Sequence, residues 1–220
     1  MNALICIGCN TYDHLHPLLK GAEKDAQEVF GLLSIQNGFY DQEVSCVLLS
    51  PDTSTIKDAL KRIFSTDEKI DVFTFFFAGH AGVKAGSFYL CARESESERL
   101  STTAFPITSL FSIINEFRPG QVNIVVDACE AGGSSFDLGQ LLKPEAIGHS
   151  DASSIIFLGA CSSNQFAGET QDGGILTRQL IKCITGETEI QNGSPFLDLI
   201  EIGAAVCRNV IADWLSKIVQ

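Results

Sequence analysis

The sequence is short of positive charge: 15 Lys+Arg stand against 27 Asp+Glu, a formal net charge of −12. Such a chain lacks the basic face that attracts a phosphate backbone, which excludes nucleic acid from the expected partners; basic peptides and ligands are compatible with it. Long apolar runs are also missing. Stretches such as Phe75-Phe76-Phe77-Ala78 fall far below the about 20 residues of a membrane span, so no membrane partner is expected. The opening Met1-Asn2-Ala3-Leu4-Ile5 has neither the charged region nor the cleavage site of a secretory signal, and a reducing, cytoplasmic setting is the expectation. Charged residues make up only 19% of the 220 positions and apolar ones 45%, which excludes a disordered chain and leaves enough apolar surface for a core without disulfide staples. No G-x-G-x-x-G follows the first apolar run, which weakens a nucleotide-binding reading.

Eight cysteines are present. Cys6 and Cys9 form a C-x-x-C, but no second pair follows at zinc-site spacing. Cys6 also falls inside an expected strand instead of at a helix start, so neither a metal nor a redox motif is read there. Cys6, Cys46, Cys161 and Cys183 lie in or beside apolar runs, where a free Cys behaves as a small hydrophobe. Seven of the eight read as structural, and Cys129 is the exception.

Short runs rich in β-branched and aromatic residues alternate with longer segments of helical period. The pattern predicts strands at Ala3–Gly8, Glu43–Leu49, Ile70–Phe77, Val122–Val126 and Ser154–Gly159, with a short one at Ser87–Ala92. Helices are predicted at Leu18–Leu33, Thr53–Phe64, Phe105–Phe117, Ile175–Ile184 and Pro195–Val219, and polar connections at Arg93–Ser101 and Gly132–Ser153. This alternation makes a single α/β domain, a mostly parallel sheet with helices on both faces.

In such sheets functional groups gather beyond the carboxyl ends of the strands. There the third expected strand leads into Gly79-His80-Ala81-Gly82 and the fourth into Asp127-Ala128-Cys129-Glu130. If those strands are neighbours, an imidazole and a thiol face each other across one edge. A nearby imidazole lowers a thiol's pKa, raises the attacking thiolate fraction, and can return a proton to a leaving amine. Taken singly, His80 reads as a satisfied core histidine and Cys129 as one more buried thiol. Taken together, with glycines beside both, they read as a dyad for acyl transfer at a peptide bond.

Those two segments, with His80 49 positions before Cys129, resemble the His and Cys boxes of the caspase and metacaspase clan of cysteine peptidases. Further segments resemble its bacterial caspase-like branch. Ala3-Leu4-Ile5-Cys6-Ile7-Gly8 with Asn10-Thr11-Tyr12 is similar to the first strand and turn, and Leu19-Lys20-Gly21-Ala22-Glu23-Lys24-Asp25-Ala26 to the first helix. Ala160-Cys161-Ser162-Ser163-Asn164-Gln165-Phe166-Ala167-Gly168-Glu169 and Gly174-Ile175-Leu176-Thr177 are similar to the small-subunit region, so the resemblance spans about residues 3 to 185.

The resemblance implies a three-layer caspase-like fold over residues 1–220, large-subunit-like to about 133, a linker over about 134–153, and small-subunit-like from about 154. It implies Cys129 as nucleophile and His80 as general base and acid. The backbone N–H of Cys129, with one near Ala81 or Gly82, would form the oxyanion hole. Asp25 and Asp127 would line an acidic S1 pocket selecting Arg or Lys at P1, and Asn164 would contact substrate. The implied partner is a polypeptide substrate, and the resemblance also admits a regulatory protein or effector domain. It implies no cofactor and no metal site; calcium activation is compatible with the family but indicated by no motif. In bacteria such proteases often belong to regulated death or antiviral defence modules. Two departures stand out: Ala81 where the family usually has Gly after the His, and no evident strand following the last helix. The readings from other classes are an inactive caspase-like scaffold and a flavodoxin-like binding or signalling module.

Overall fold

Five apolar segments assemble into a parallel core because each is hydrophobic on both sides and must be covered on both. Phe73, Phe75, Phe76 and Phe77, consecutive or nearly so, are all fully buried. The computed structural model describes residues 1–34, 38–130, 154–162, 169–170, 173–190 and 198–218, and side chains there other than those of 129–130, 160–162, 169–170 and 210–218. The linker read at about 134–153, Asn164 and the side chain of Cys161 lie outside this description.

The strands are β1 (Asn2–Gly8), β2 (Cys46–Leu49), β3 (Val72–Lys84), β4 (Ser87–Leu90), β5 (Phe105–Pro106), β6 (Gln121–Glu130), β7 (Ser154–Ser162), β8 (Glu169–Thr170) and β9 (Gly173–Gly174). The helices are α1 (Ala22–Ser34), α2 (Thr53–Phe64), α3 (Leu100–Thr103), α4 (Ile107–Phe117), α5 (Ile175–Ile184) and α6 (Leu199–Ile218). The parallel strands run in the order β2-β1-β3-β6-β7. β4 pairs antiparallel with the end of β3 and β5 with β4, completing seven strands.

This order fixes the layers. The step from β1 to β2 runs one way along the sheet; those from β2 to β3 and from β3 to β6 run the other. With right-handed crossovers, α1 therefore covers the face opposite to α2 and α4. The packing agrees: α1 meets α5, and α5 meets α6, whereas Phe64 of α2 lies 5.2 Å, ring to ring, from Phe117 of α4. The result is a three-layer α/β fold, as read from the sequence. The direction reverses between β1 and β3, and in open α/β sheets the crevice beyond the carboxyl ends at that point is where ligands bind.

Local chemistry sets several boundaries. Asp52 caps α2, accepting from Thr55 N at 2.7 Å, and this bonding holds its carboxyl down at about 2. α1 begins at Ala22 instead of Leu18; the Leu19 N–H turns back to the Asn10 carbonyl at 3.1 Å. Phe105 and Pro106 pair with β4 before α4 begins, and the segment read as a polar loop after Arg93 contains a 3-10 turn at Ser97–Arg99 and the short α3. The largest difference lies in β3, which runs to Lys84 instead of ending at Phe77. It turns there through Ala85 and Gly86, both at positive φ (50° and 77°), the geometry of a two-residue hairpin. Among the seven cysteines read as structural, Cys6, Cys9, Cys91 and Cys183 are buried, and Cys207 is exposed on α6. Burial pushes the Cys9 thiol far up and that of Cys91 to about 12, so both are inert at ordinary pH.

Candidate active site

β3 and β6 are neighbours, and the register pairs Ala78 with Asp127 and His80 with Cys129. The two residues read as a dyad thus occupy one register position on adjacent parallel strands, about 4.8 Å apart in the hydrogen-bonding direction. Both strands continue to this point: β6 ends at Glu130, one residue beyond Cys129.

The environment of His80 comes from the loop between β1 and α1. The imidazole is only 4% exposed, and its Nε2 lies 2.8 Å from the carbonyl oxygen of Pro17. A carbonyl can only accept, so Nε2 carries a proton. Nδ1 is buried and has no partner among the described residues. The ring of Tyr12 lies 4.9 Å from the imidazole, tilted by 36°. The Tyr12 hydroxyl accepts the His80 backbone N–H at 2.8 Å and donates to the Cys9 carbonyl at 3.0 Å. A Cβ at Gly79 would come within 2.9 Å of that hydroxyl, which is why the residue before the histidine is glycine. Ala81 and Gly82, read as loop residues, lie instead in the hairpin, paired in register with Leu90 and Tyr89.

Asp25 and Asp127, which come from α1 and β6, converge on the start of α5. Asp25 is 1% exposed and accepts from Gly174 N at 2.7 Å and from Arg178 Nη2 at 2.6 Å. The same Nη2 also bonds Glu28. Asp127 Oδ2 accepts from Thr177 N at 2.8 Å and from Thr177 Oγ1 at 2.7 Å. Between them the carboxylates take up N–H groups that a helix start leaves unpaired, at the end favoured by negative charge. Burial nonetheless pushes the Asp127 carboxyl up against the lowering effect of Thr177, and the charge of Asp25 adds to the rise. Burial likewise raises Asp25, against the lowering bonds from Gly174 and Arg178. Arg178 is desolvated, but its bonds to Glu28 and Asp25 win and hold its charge more firmly than usual.

The structure thus brings His80 beside Cys129, and Asp25 beside Asp127, two register positions away. The sequence reading missed four groups: the Pro17 carbonyl, Tyr12, Thr177 and Arg178. Among the described residues, no cluster of His, Cys, Asp and Glu is placed to hold a metal ion, and no helix is long and apolar enough to cross a membrane.

A strand-borne histidine registered against a cysteine on a β2-β1-β3-β6-β7 sheet narrows the candidates, and one match decides among them. The caspase domain matches residues 2–213. The chain belongs to the caspase family of cysteine peptidases. No curated protein matches the sequence. The match runs through both the β1–β6 portion and most of the β7–α6 portion.

Proposed function

We propose that this caspase domain is an active cysteine endopeptidase in which Cys129 attacks the scissile carbonyl and His80 takes and returns the proton. The carrying observation is the His80–Cys129 register together with an imidazole whose Nε2–H is committed to Pro17 while its Nδ1 is left without a partner among the described residues. A neutral imidazole with one fixed donor and one available lone pair is what a general base requires. In the acylation step the thiolate sulfur bonds to the carbonyl carbon and the proton passes from His80 to the departing amine. Water then hydrolyses the thioester, again with His80 as base. The N–H groups of Cys129 and of Ala81 or Gly82 are the proposed donors to the developing oxyanion.

The proposed preference is Arg or Lys at P1, supported by Asp25, Glu28 and Asp127 gathered beside the dyad with Arg178 as their nearby cation. The net charge of −12 favours approach of basic segments in the same sense. We further place the protein in the cytoplasm, as a regulated protease of a cell-death or defence pathway, with a regulatory protein or effector domain as partner. The test is cleavage of a P1-varied peptide library by the purified protein, with and without calcium. Cleavage confined to Arg and Lys is expected; preference for Asp or an apolar P1 overturns the acidic-pocket reading, and absence of cleavage with an unreactive Cys129 favours the inactive scaffold.

A further inference from the structure

The hydrogen bonds around Tyr12 replace a rung of the sheet. β1 and β3 pair in parallel up to Gly8 opposite Ala78, and the Cys9 N–H still donates to the Ala78 carbonyl at 2.9 Å. In a parallel ladder the following bond would run from the His80 N–H to the Cys9 carbonyl. The Tyr12 hydroxyl stands in that place, accepting from His80 N and donating to Cys9 O. The carbonyl of His80 itself is taken by the N–H of Cys91, the residue after β4, at 2.9 Å. The phenol oxygen is therefore a one-atom spacer that wedges β1 away from β3 at the rung carrying His80.

The wedge sits at the reversal point of the sheet, just past the last β1–β3 pair. Its ring faces the imidazole of the same residue whose N–H its hydroxyl holds. With the Pro17 carbonyl on Nε2, the loop over residues 9–20 grips His80 at backbone, ring face and ring nitrogen. Two of these three grips belong to Tyr12. Gly79 makes room for the hydroxyl, since a Cβ there would also come within 3.0 Å of Phe77 Cζ.

We propose that Tyr12 is a positioning residue for His80, setting the imidazole's aim toward Cys129 by replacing a backbone rung with its hydroxyl. This rests on the dyad reading above. Without the hydroxyl, either β1 closes onto β3 and rotates the His80 backbone, or an N–H and a carbonyl stay buried and unpaired. Both outcomes loosen the imidazole relative to the thiol, and a misaimed imidazole no longer lowers the thiol's pKa.

The test follows alkylation of Cys129 by iodoacetamide against pH, read by mass spectrometry of the Cys129 peptide so that exposed Cys207 does not interfere. Parent, Tyr12→Phe, Gly79→Ala and His80→Ala proteins are compared. The parent midpoint is expected below the about 8.5 of a free thiol, and Tyr12→Phe is expected to return it toward that value. Its kcat on the best library peptide should fall about ten-fold with KM nearly unchanged, the mark of lost proton transfer and not lost binding. Gly79→Ala, which presses on the hydroxyl from the other side, should behave alike, and it decides the matter if Tyr12→Phe fails to fold. A Tyr12→Phe protein that melts earlier but keeps the parent's midpoint and kcat overturns the proposal. If His80→Ala itself leaves the midpoint unmoved, the dyad reading falls and the role of Tyr12 with it.

Discussion

His80 and Asp127 stand two register positions apart on the same pair of strands, yet their polar atoms are treated in opposite ways. At His80 the surroundings satisfy one ring nitrogen and leave the other buried without a partner among the described residues. At Asp127 and its neighbour Asp25 the surroundings bring donors to the carboxylates, from Thr177, Gly174 and Arg178. A buried lone pair without a donor costs free energy and is kept where it has work to do; carboxylates bonded to a helix start hold two parts of the chain together. The two places differ in what they can release. Among the described residues nothing bonds Nδ1 of His80, whereas Asp25 is already bonded by Gly174 and Arg178.

That contrast can be broken in three places. The largest effect is expected at the dyad: His80→Ala and Cys129→Ala should each lower peptide cleavage by at least about 10²-fold while leaving the melting transition in place. A folded His80→Ala protein that cleaves at the parent rate would falsify the division of roles drawn here. Next comes Arg178→Ala, which strips buried Asp25 of its cation while the Gly174 N–H remains. It should cost about 3 kcal/mol of unfolding free energy, at the low end for broken buried pairs because Arg178 is itself partly exposed. Urea titration measures this, and a loss under about 1 kcal/mol would mean that Asp25 and Arg178 are already apart in solution.

The smallest effect concerns pH. The Asp127 carboxyl is raised by burial, so the folded chain keeps a proton at pH values where the unfolded chain has lost it. Its contribution to stability is therefore complete below the ordinary carboxyl range near pH 4 and is lost as pH rises through the raised value. Asp127→Asn preserves an acceptor for Thr177 and should flatten that part of the stability–pH curve. A curve unchanged in slope between pH 4 and 8 would show that the carboxylate is solvated in the folded protein.

The neighbouring positions of His80 and Cys129 were legible because their signals are local. His80 and Cys129 each follow an apolar strand run, and glycines lie close to both on the chain. The helices at Thr53–Phe64 and Ile175–Ile184 were legible for the same reason, since helical period acts over a few residues. Tyr12 was visible only as part of a turn, because replacing a rung between β1 and β3 depends on a residue 68 positions away. Pro17 contributes a carbonyl, a group every residue has, so no side-chain pattern announces it. Arg178 lies 153 positions from Asp25, and nothing near either residue records the pairing. The extension of β3 was missed for a different reason: Gly79 and Gly82 read as the end of a strand, while the turn is made by Ala85 and Gly86, where the left-handed conformation falls.

By itself the sequence determined the principal strands and helices, that the sheet is mostly parallel and covered, and that His80 and Cys129 each follow an apolar strand run. These follow from side-chain period and apolar content, which act within one segment. Only the tertiary structure decided that β3 lies between β1 and β6, that the register sets His80 against Cys129, and that Arg178 meets Asp25. Those are pairings between distant segments, selected by right-handed crossovers, by burial of both sheet faces and by the need to satisfy buried polar groups across them.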